Sequence, residues 1–210
     1  MTKPVPTLET KSYFATAIGE AALDDPSLLL ALEEAIWSLE ADDAAGASWC
    51  DEEGYDGYTS YASLDDLPNR NPAFAELVEH LTPLAQAFSQ TLCWNLDGQA
   101  LELDSLWVNI LGEGGSHSGH IHPASVLSGT VYISMPKGAG ALKFEDPRLP
   151  LMMAAPQPDG SADDAHRRFV YRQPPAGTVL FWESWLRHEV MPNRSDEPRL
   201  TISFNYGLRP

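Results

Sequence analysis

The chain has 210 residues, 43% of them hydrophobic, and a formal charge of −17 from 30 acidic against 13 basic residues. That is enough apolar material for a sizeable core in one domain, and so acidic a chain has no general attraction to nucleic acid or to an anionic membrane surface. Only Cys50 and Cys93 are present, too few for a stapled secreted scaffold, and whether they pair stays open. Met1 to Lys11 lacks the apolar run of a signal peptide, and no stretch approaches the roughly 18 apolar residues of a membrane span, so a cytoplasmic protein is expected.

Ser12 to Ile18 reads as an early strand. Asp25-Pro26 is a helix start, with Asp25 at the cap and Pro26 at the first helical position. Leu28, Leu29, Leu32, Ile36 and Leu39 follow at helical spacing and predict a helix over 26–40. From Ala41 to Asn71 the period disappears. This segment holds Trp49, Tyr55, Tyr58 and Tyr61 among glycines and acids, and reads either as a cover over a barrel mouth or as a loop with a small core of its own. Asn71-Pro72 opens a second helix, buried through Phe74, Leu77, Val78 and Leu81; Pro83 should end or kink it, with helix resuming over 84–93.

After Asp97-Gly98 the period changes to two. Leu101 to Leu111 reads as a strand with Leu106, Val108 and Ile110 on one face and Trp107 and Asn109 on the other. A glycine-rich turn, 112–119, leads into a strand carrying His120 and His122. Further strands are expected over Leu127 to Met135, Ala141 to Glu145, Phe169 to Arg172, Thr178 to Trp182 and Arg199 to Tyr206. Residues 146–168 are Pro-rich and aperiodic and read as a mobile cover at the mouth. Helices first and short strands second predict an α+β, mainly β architecture: a jelly roll over 99–210, and a helical elaboration, 1–98, packed on one outer face. Together they form a single domain.

His120 and His122, two apart on a strand, point the same way and suit adjacent positions on one metal ion. His188, from a neighbouring strand, closes a triangular face and leaves the opposite face open, as a non-haem iron oxygenase requires. The plain alternative is a surface His-x-His beside a satisfied core histidine. Eleven residues after His188, Arg199, Thr201, Ser203 and Asn205 share one strand face, while Leu200, Ile202 and Phe204 share the other. A polar interior face makes poor core unless it lines a cavity holding a polar ligand. Arg199 then grips a carboxylate with its planar fork, with Thr201 and Ser203 beside it and Asn109 and Tyr132 facing the same space. His117 reads as a mouth residue on the opposite pleat, and His80 and His166 as solvated side chains. Phe181, Trp182 and Trp185 read as packing around His188.

The order His120-x-His122, distal His188, then Arg199 resembles the iron(II)- and 2-oxoglutarate-dependent oxygenases, and more narrowly a bacterial group of them. Trp107-Val108-Asn109, the run from His120 to Gly129, Phe144 to Pro147, Ser184 to Val190 and Arg199 to Asn205 carry the likeness. The resemblance implies a double-stranded β-helix of the cupin type, with Fe(II) and 2-oxoglutarate as cofactors and dioxygen as co-reactant. It implies Fe(II) on His120, His122 and His188, the far carboxylate of 2-oxoglutarate on Arg199 and Thr201, and hydroxylation of a substrate with release of succinate and carbon dioxide. The chain departs from the wider superfamily at His122, where an aspartate or glutamate is usual. Three centres stay open: three histidines, two histidines with His122 merely adjacent, or a carboxylate recruited from Asp146 or Glu183. Two rivals also stay open: a three-histidine thiol dioxygenase that needs no 2-oxoglutarate, and a non-catalytic jelly-roll binding module. The substrate, small molecule or peptide, is not legible, and a homodimer is among the open options.

Overall fold

The computed structural model describes residues 7–209. Helix α1 runs Pro26–Asp42, and the Asp25 carboxylate accepts from the Ser27 and Leu28 amides at its start. Helix α3 runs Pro72–Thr91, capped by Asn71, and buries Phe74, Leu77, Leu81, Ala85 and Phe88. Pro83 lies on its exposed side and does not end it, so any distortion there costs no buried packing.

The strands form two antiparallel sheets. β1 (Ile18–Ala22), β2 (Gly57–Thr59), β3 (Ala100–Leu111), β5 (Leu127–Ser134), β8 (Thr178–Glu183) and β10 (Arg199–Arg209) make the larger, in the order β1-β8-β5-β10-β3-β2. β4 (His117–His120), β6 (Leu142–Glu145), β7 (Phe169–Arg172) and β9 (His188–Val190) make the smaller, in the order β4-β9-β6-β7. One face of the larger sheet packs on α1 and α3. Leu106, Val108, Val131, Val179, Phe181, Leu200, Ile202 and Phe204 supply that face, and Leu32, Ile36, Phe74 and Leu77 meet it. The other face meets the smaller sheet, with Tyr132, Leu180 and Trp182 packed on Leu142, Phe144 and Val190. Strand alternation divides β10 as its pattern predicts, apolar residues to the helices and polar residues to the space between sheets. The architecture is the expected jelly roll with helices on one outer face.

Several local expectations are corrected. The first strand is Ile18–Ala22, not Ser12 to Ile18; Phe14 sits exposed at φ 60, which no extended strand accommodates. The aperiodic stretch after Ala41 contains a helix, α2 (Ala44–Glu53). It buries only Gly46 and Cys50, so it leaves no apolar stripe to read. Its signals are its ends: Asp43 caps the Gly46 amide, and Gly54 takes the left-handed turn at φ 64. Cys50 and Cys93 are both free, one buried and one exposed. Residues 146–168 do not line the space around the histidines. They fold with residues 11–18 around a separate cavity, because β6 and β7, which flank them, lie at the far edge of the smaller sheet from β4.

Candidate metal centre

His120 on β4 and His188 on β9 are direct cross-strand partners, with ring centroids 4.4 Å apart. His122 joins them by a different route from the one its spacing predicts. β4 ends at His120, so His122 lies beyond the strand in the turn that follows. Its amide donates to the Ser184 carbonyl at 2.9 Å, which pins the turn to the end of β8. The three rings converge all the same, and their available nitrogens lie within 4.8 Å of one another.

Each ring is held through Nδ1. His120 Nδ1 lies 2.7 Å from the Ser118 carbonyl and His188 Nδ1 2.8 Å from the Leu186 carbonyl. His122 Nδ1 lies 2.6 Å from Asn205 Oδ1, with Ser128 Oγ at 3.1 Å. The Asn205 amide is itself oriented, donating from Nδ2 to Ser105 Oγ and accepting from Ser128 Oγ. Carbonyl oxygens only accept, so in each ring Nδ1 carries a proton, and Nε2 is the nitrogen available to a metal. Three converging imidazoles, each oriented by a bond to Nδ1, form a group that could hold a divalent transition metal. Burial pushes His188 down to about 3 and also lowers His122, so both stay neutral at ordinary pH. Among the described residues this group contains no carboxylate. Asp146 is engaged by Arg148, and Glu183 faces a groove on the outer side of His122.

The histidines line a cavity of about 710 Å³ between the two sheets. Arg199, Thr201, Ser203 and Asn205 all line it, as the alternation of β10 predicts. Arg199 is only 2% exposed, and no carboxylate pairs with it among the described residues. Its Nη1 donates to Thr201 Oγ1 at 3.1 Å, and its guanidinium lies 5.3 Å from the centre of the Tyr132 ring. Arg199 Nε and the Tyr132 hydroxyl are buried with no partner. Burial lowers the pKa of Arg199 and raises that of Tyr132. A buried, unpaired guanidinium is strongly unfavourable alone, and an anion in the cavity would offset that cost. Asn109 and Ser203 face the cavity but are engaged: Asn109 donates to Ser203 Oγ at 3.0 Å and accepts from Thr59 Oγ1 at 2.9 Å.

His117 belongs to the cavity more fully than its position implies. A register shift between His117 and His120 breaks the alternation that sets them on opposite pleats, and both line the same space. Its Nε2 makes a short hydrogen bond with the Tyr55 hydroxyl, and burial lowers its pKa to about 3. Tyr55 stands on the segment between α2 and β2, so that segment faces the histidines as a wall of the cavity. Nothing in the sequence pairs residues 62 positions apart; the only signal is the run of aromatics, Trp49, Tyr55 and Tyr61. Trp182 packs against His188 with centroids 4.8 Å apart, while Trp185 is 46% exposed and away from the core.

Residues 105–205, just under half of the chain, match the family described as "Putative 2OG-Fe(II) oxygenase". No curated protein matches the sequence. Among solved structures, the fold is similar to a Pseudomonas putida prolyl-4-hydroxylase at TM-score 0.63 and 16% identity, covering 93% of this chain and 94% of that one. It is similar to the non-heme alpha ketoglutarate dependent epimerase SnoN from nogalamycin biosynthesis at TM-score 0.63 and 16% identity, covering 92% and 77%. HygX from Streptomyces hygroscopicus, solved with nickel and 2-oxoglutarate bound, matches at TM-score 0.57 and 15% identity, covering 92% and 83%. No helix of the described residues is long and apolar enough to cross a membrane. The three histidines and the buried arginine all lie inside the matched segment.

Proposed function

We propose that the protein is an iron(II)- and 2-oxoglutarate-dependent dioxygenase that hydroxylates its substrate, with His120, His122 and His188 as the iron ligands. The observation that carries this reading is the pairing, in one cavity, of three converging imidazoles with a buried arginine that has no carboxylate partner among the described residues. The donor set fits iron(II), and the unpartnered Arg199 Nε and Tyr132 hydroxyl fit the free carboxylate of a short diacid. When bound, iron(II) and 2-oxoglutarate supply the oxidising chemistry: one dioxygen is consumed, the co-substrate leaves as succinate and carbon dioxide, and a substrate C–H becomes C–OH.

The chain's own part is binding, orientation and shielding. Ser118, Leu186 and Asn205 fix the imidazole rings, so the metal site is formed before metal arrives. Arg199 and Tyr132 bind the far carboxylate of 2-oxoglutarate, and Thr201 holds the guanidinium in place from one side. Trp182, Phe144 and Val190 close the cavity behind His188 and keep water from that side.

Anaerobic titration with iron(II) tests the metal site, with one ion per chain expected. Aerobic incubation with 2-oxoglutarate tests the reaction, with succinate expected in step with oxygen consumed. Iron binding with neither 2-oxoglutarate affinity nor succinate would replace this reading with a thiol dioxygenase or a binding module.

A further inference from the structure

The cavity has a second wall whose chemistry bears on the substrate. Trp49, Tyr55 and Tyr61 from residues 49–61, and Trp107 from β3, all line it. Their rings run in two files that end on the proposed metal ligands. Tyr61 meets Trp107 edge-on at 5.1 Å, and Trp107 meets His122 at 5.9 Å. Trp49 meets Tyr55 at 6.4 Å, Tyr55 meets His117 at 5.2 Å, and His117 meets His120 at 6.3 Å. Tyr61 is 56% exposed and Trp107 only 7%, so the first file runs from solvent into the site.

The charge beside these rings has one sign. Glu53 and Asp56 line the same mouth, exposed, and neither has an ion-pair partner among the described residues. Among the described residues, Arg199 is the only Lys or Arg that lines the cavity, and it is buried. Other cations gather at the separate cavity beside residues 146–168, where Lys11, Arg148, Arg167 and Arg168 lie. Two exposed acids alone are an ordinary solvated face. Here they border a cavity with a buried donor outside the proposed metal and 2-oxoglutarate sites: Trp182, only 3% exposed, lines it, and its Nε1 has no partner. Aromatic faces attract cations, and carboxylates beside them add to that attraction while repelling anions.

We propose that residues 49–61 select the substrate and that it is an organic cation, an amine, guanidine or quaternary ammonium compound. Its charged group is held between the Tyr61–Trp107 wall and the carboxylates of Glu53 and Asp56, and the carbon to be hydroxylated extends toward the three histidines. This rests on the oxygenase reading above. The selecting residues Glu53, Asp56 and Tyr61 lie outside the family-matched segment, which fits a shared reaction combined with an individual substrate.

Calorimetric titration tests the proposal on the full chain, with and without nickel(II) and 2-oxoglutarate. The probes are two cations, choline and butylguanidine, the neutral 3,3-dimethylbutan-1-ol, and the anion 3,3-dimethylbutanoate. At least one cation is expected to bind about tenfold tighter than the neutral alcohol, and the anion not at all. The double variant Glu53→Gln, Asp56→Asn should weaken cation binding about threefold or more while leaving the affinity for 2-oxoglutarate unchanged. Tyr61→Ala should weaken cation binding further and reduce the preference over the alcohol. Equal binding of cations and alcohol, or a preference that survives all three substitutions, overturns the proposal. Failure of the underlying reading is separate: there nickel(II) and 2-oxoglutarate fail to bind, whatever the cations do.

Discussion

His120 and His188 face each other across β4 and β9, and each places its Nδ1 against the backbone carbonyl two residues before it, Ser118 and Leu186. The two rings are therefore oriented by main chain, which no substitution removes. His122 lies off the strand and is oriented by a side chain, Asn205. This asymmetry makes one ligand adjustable without touching the other two.

Asn205→Ala should lower iron(II) affinity about 10–100-fold by freeing the His122 ring, while the fold persists. Asn205→Asp should retain orientation and bind at least as tightly, since a carboxylate makes the imidazole a better donor. Equilibrium titration with iron(II) or nickel(II) reads both. Unchanged affinity in Asn205→Ala would mean that the turn after β4, or Ser128 Oγ in its place, sets the ring and Asn205 does not.

Arg199→Ala should weaken 2-oxoglutarate binding at least about tenfold, the loss expected for a shielded, bidentate charged pair of about 2–5 kcal/mol. Iron(II) affinity should stay near wild type, because Arg199 makes no contact with the Nδ1 bonds that orient the ligands. Arg199→Lys should recover only part, since a point charge cannot reproduce the planar fork. Wild-type affinity for 2-oxoglutarate in Arg199→Ala would sink the co-substrate assignment.

These two sites were legible in the sequence to different depths. The polar face of β10 was readable because strand alternation is strict over 199–205 and the opposite face is uniformly apolar. The convergence of His120 with His188 was readable from motif order. His122 reaches the same point by a turn, so the geometric reason given by its spacing was not the physical one. His117 was hidden by the register shift in β4, which single-strand periodicity cannot register. Helix α2 escaped because it is held by caps and not by an apolar stripe. The wall from 49–61 depends on long-range pairing of β2 with β3, through Gly57 opposite Leu111 and Thr59 opposite Asn109.

Gly129 offers a test of packing within the larger sheet. β5 runs between β8 and β10, and a methyl group on Gly129 would strike the Phe204 ring and the Leu180 carbonyl. A backbone oxygen in a paired strand cannot move aside as a side chain can. Gly129→Ala should therefore cost about 1–3 kcal/mol by overpacking. Urea unfolding measures it, and a change within about 0.5 kcal/mol of wild type would show that Phe204 and β8 yield.

The pH dependence of stability should trace in part to Asp43, at the joint between α1 and α2. It is 7% exposed, and its carboxylate accepts from the Tyr58 hydroxyl at 2.8 Å, the Gly46 amide at 3.0 Å and Ser63 Oγ. Burial alone raises its pKa, but hydrogen bonds from Ser63, Gly46 and Tyr58 outweigh it and hold the carboxyl below its usual value. A carboxylate with a lowered folded-state pKa stabilises the fold fully above its unfolded value of about 3.9. That contribution fades as pH falls from there through the folded value, because the unfolded chain takes up the proton first. Asp43→Asn should thus be less stable than wild type at pH 7, with the deficit shrinking below about pH 4. The same change should loosen β2 and the wall it carries, since Tyr58 on β2 loses its charged partner. Urea melts at pH 7, 5 and 3 on both proteins provide the comparison. A deficit that stays constant across the three values would assign the effect to packing and not to the Asp43 charge.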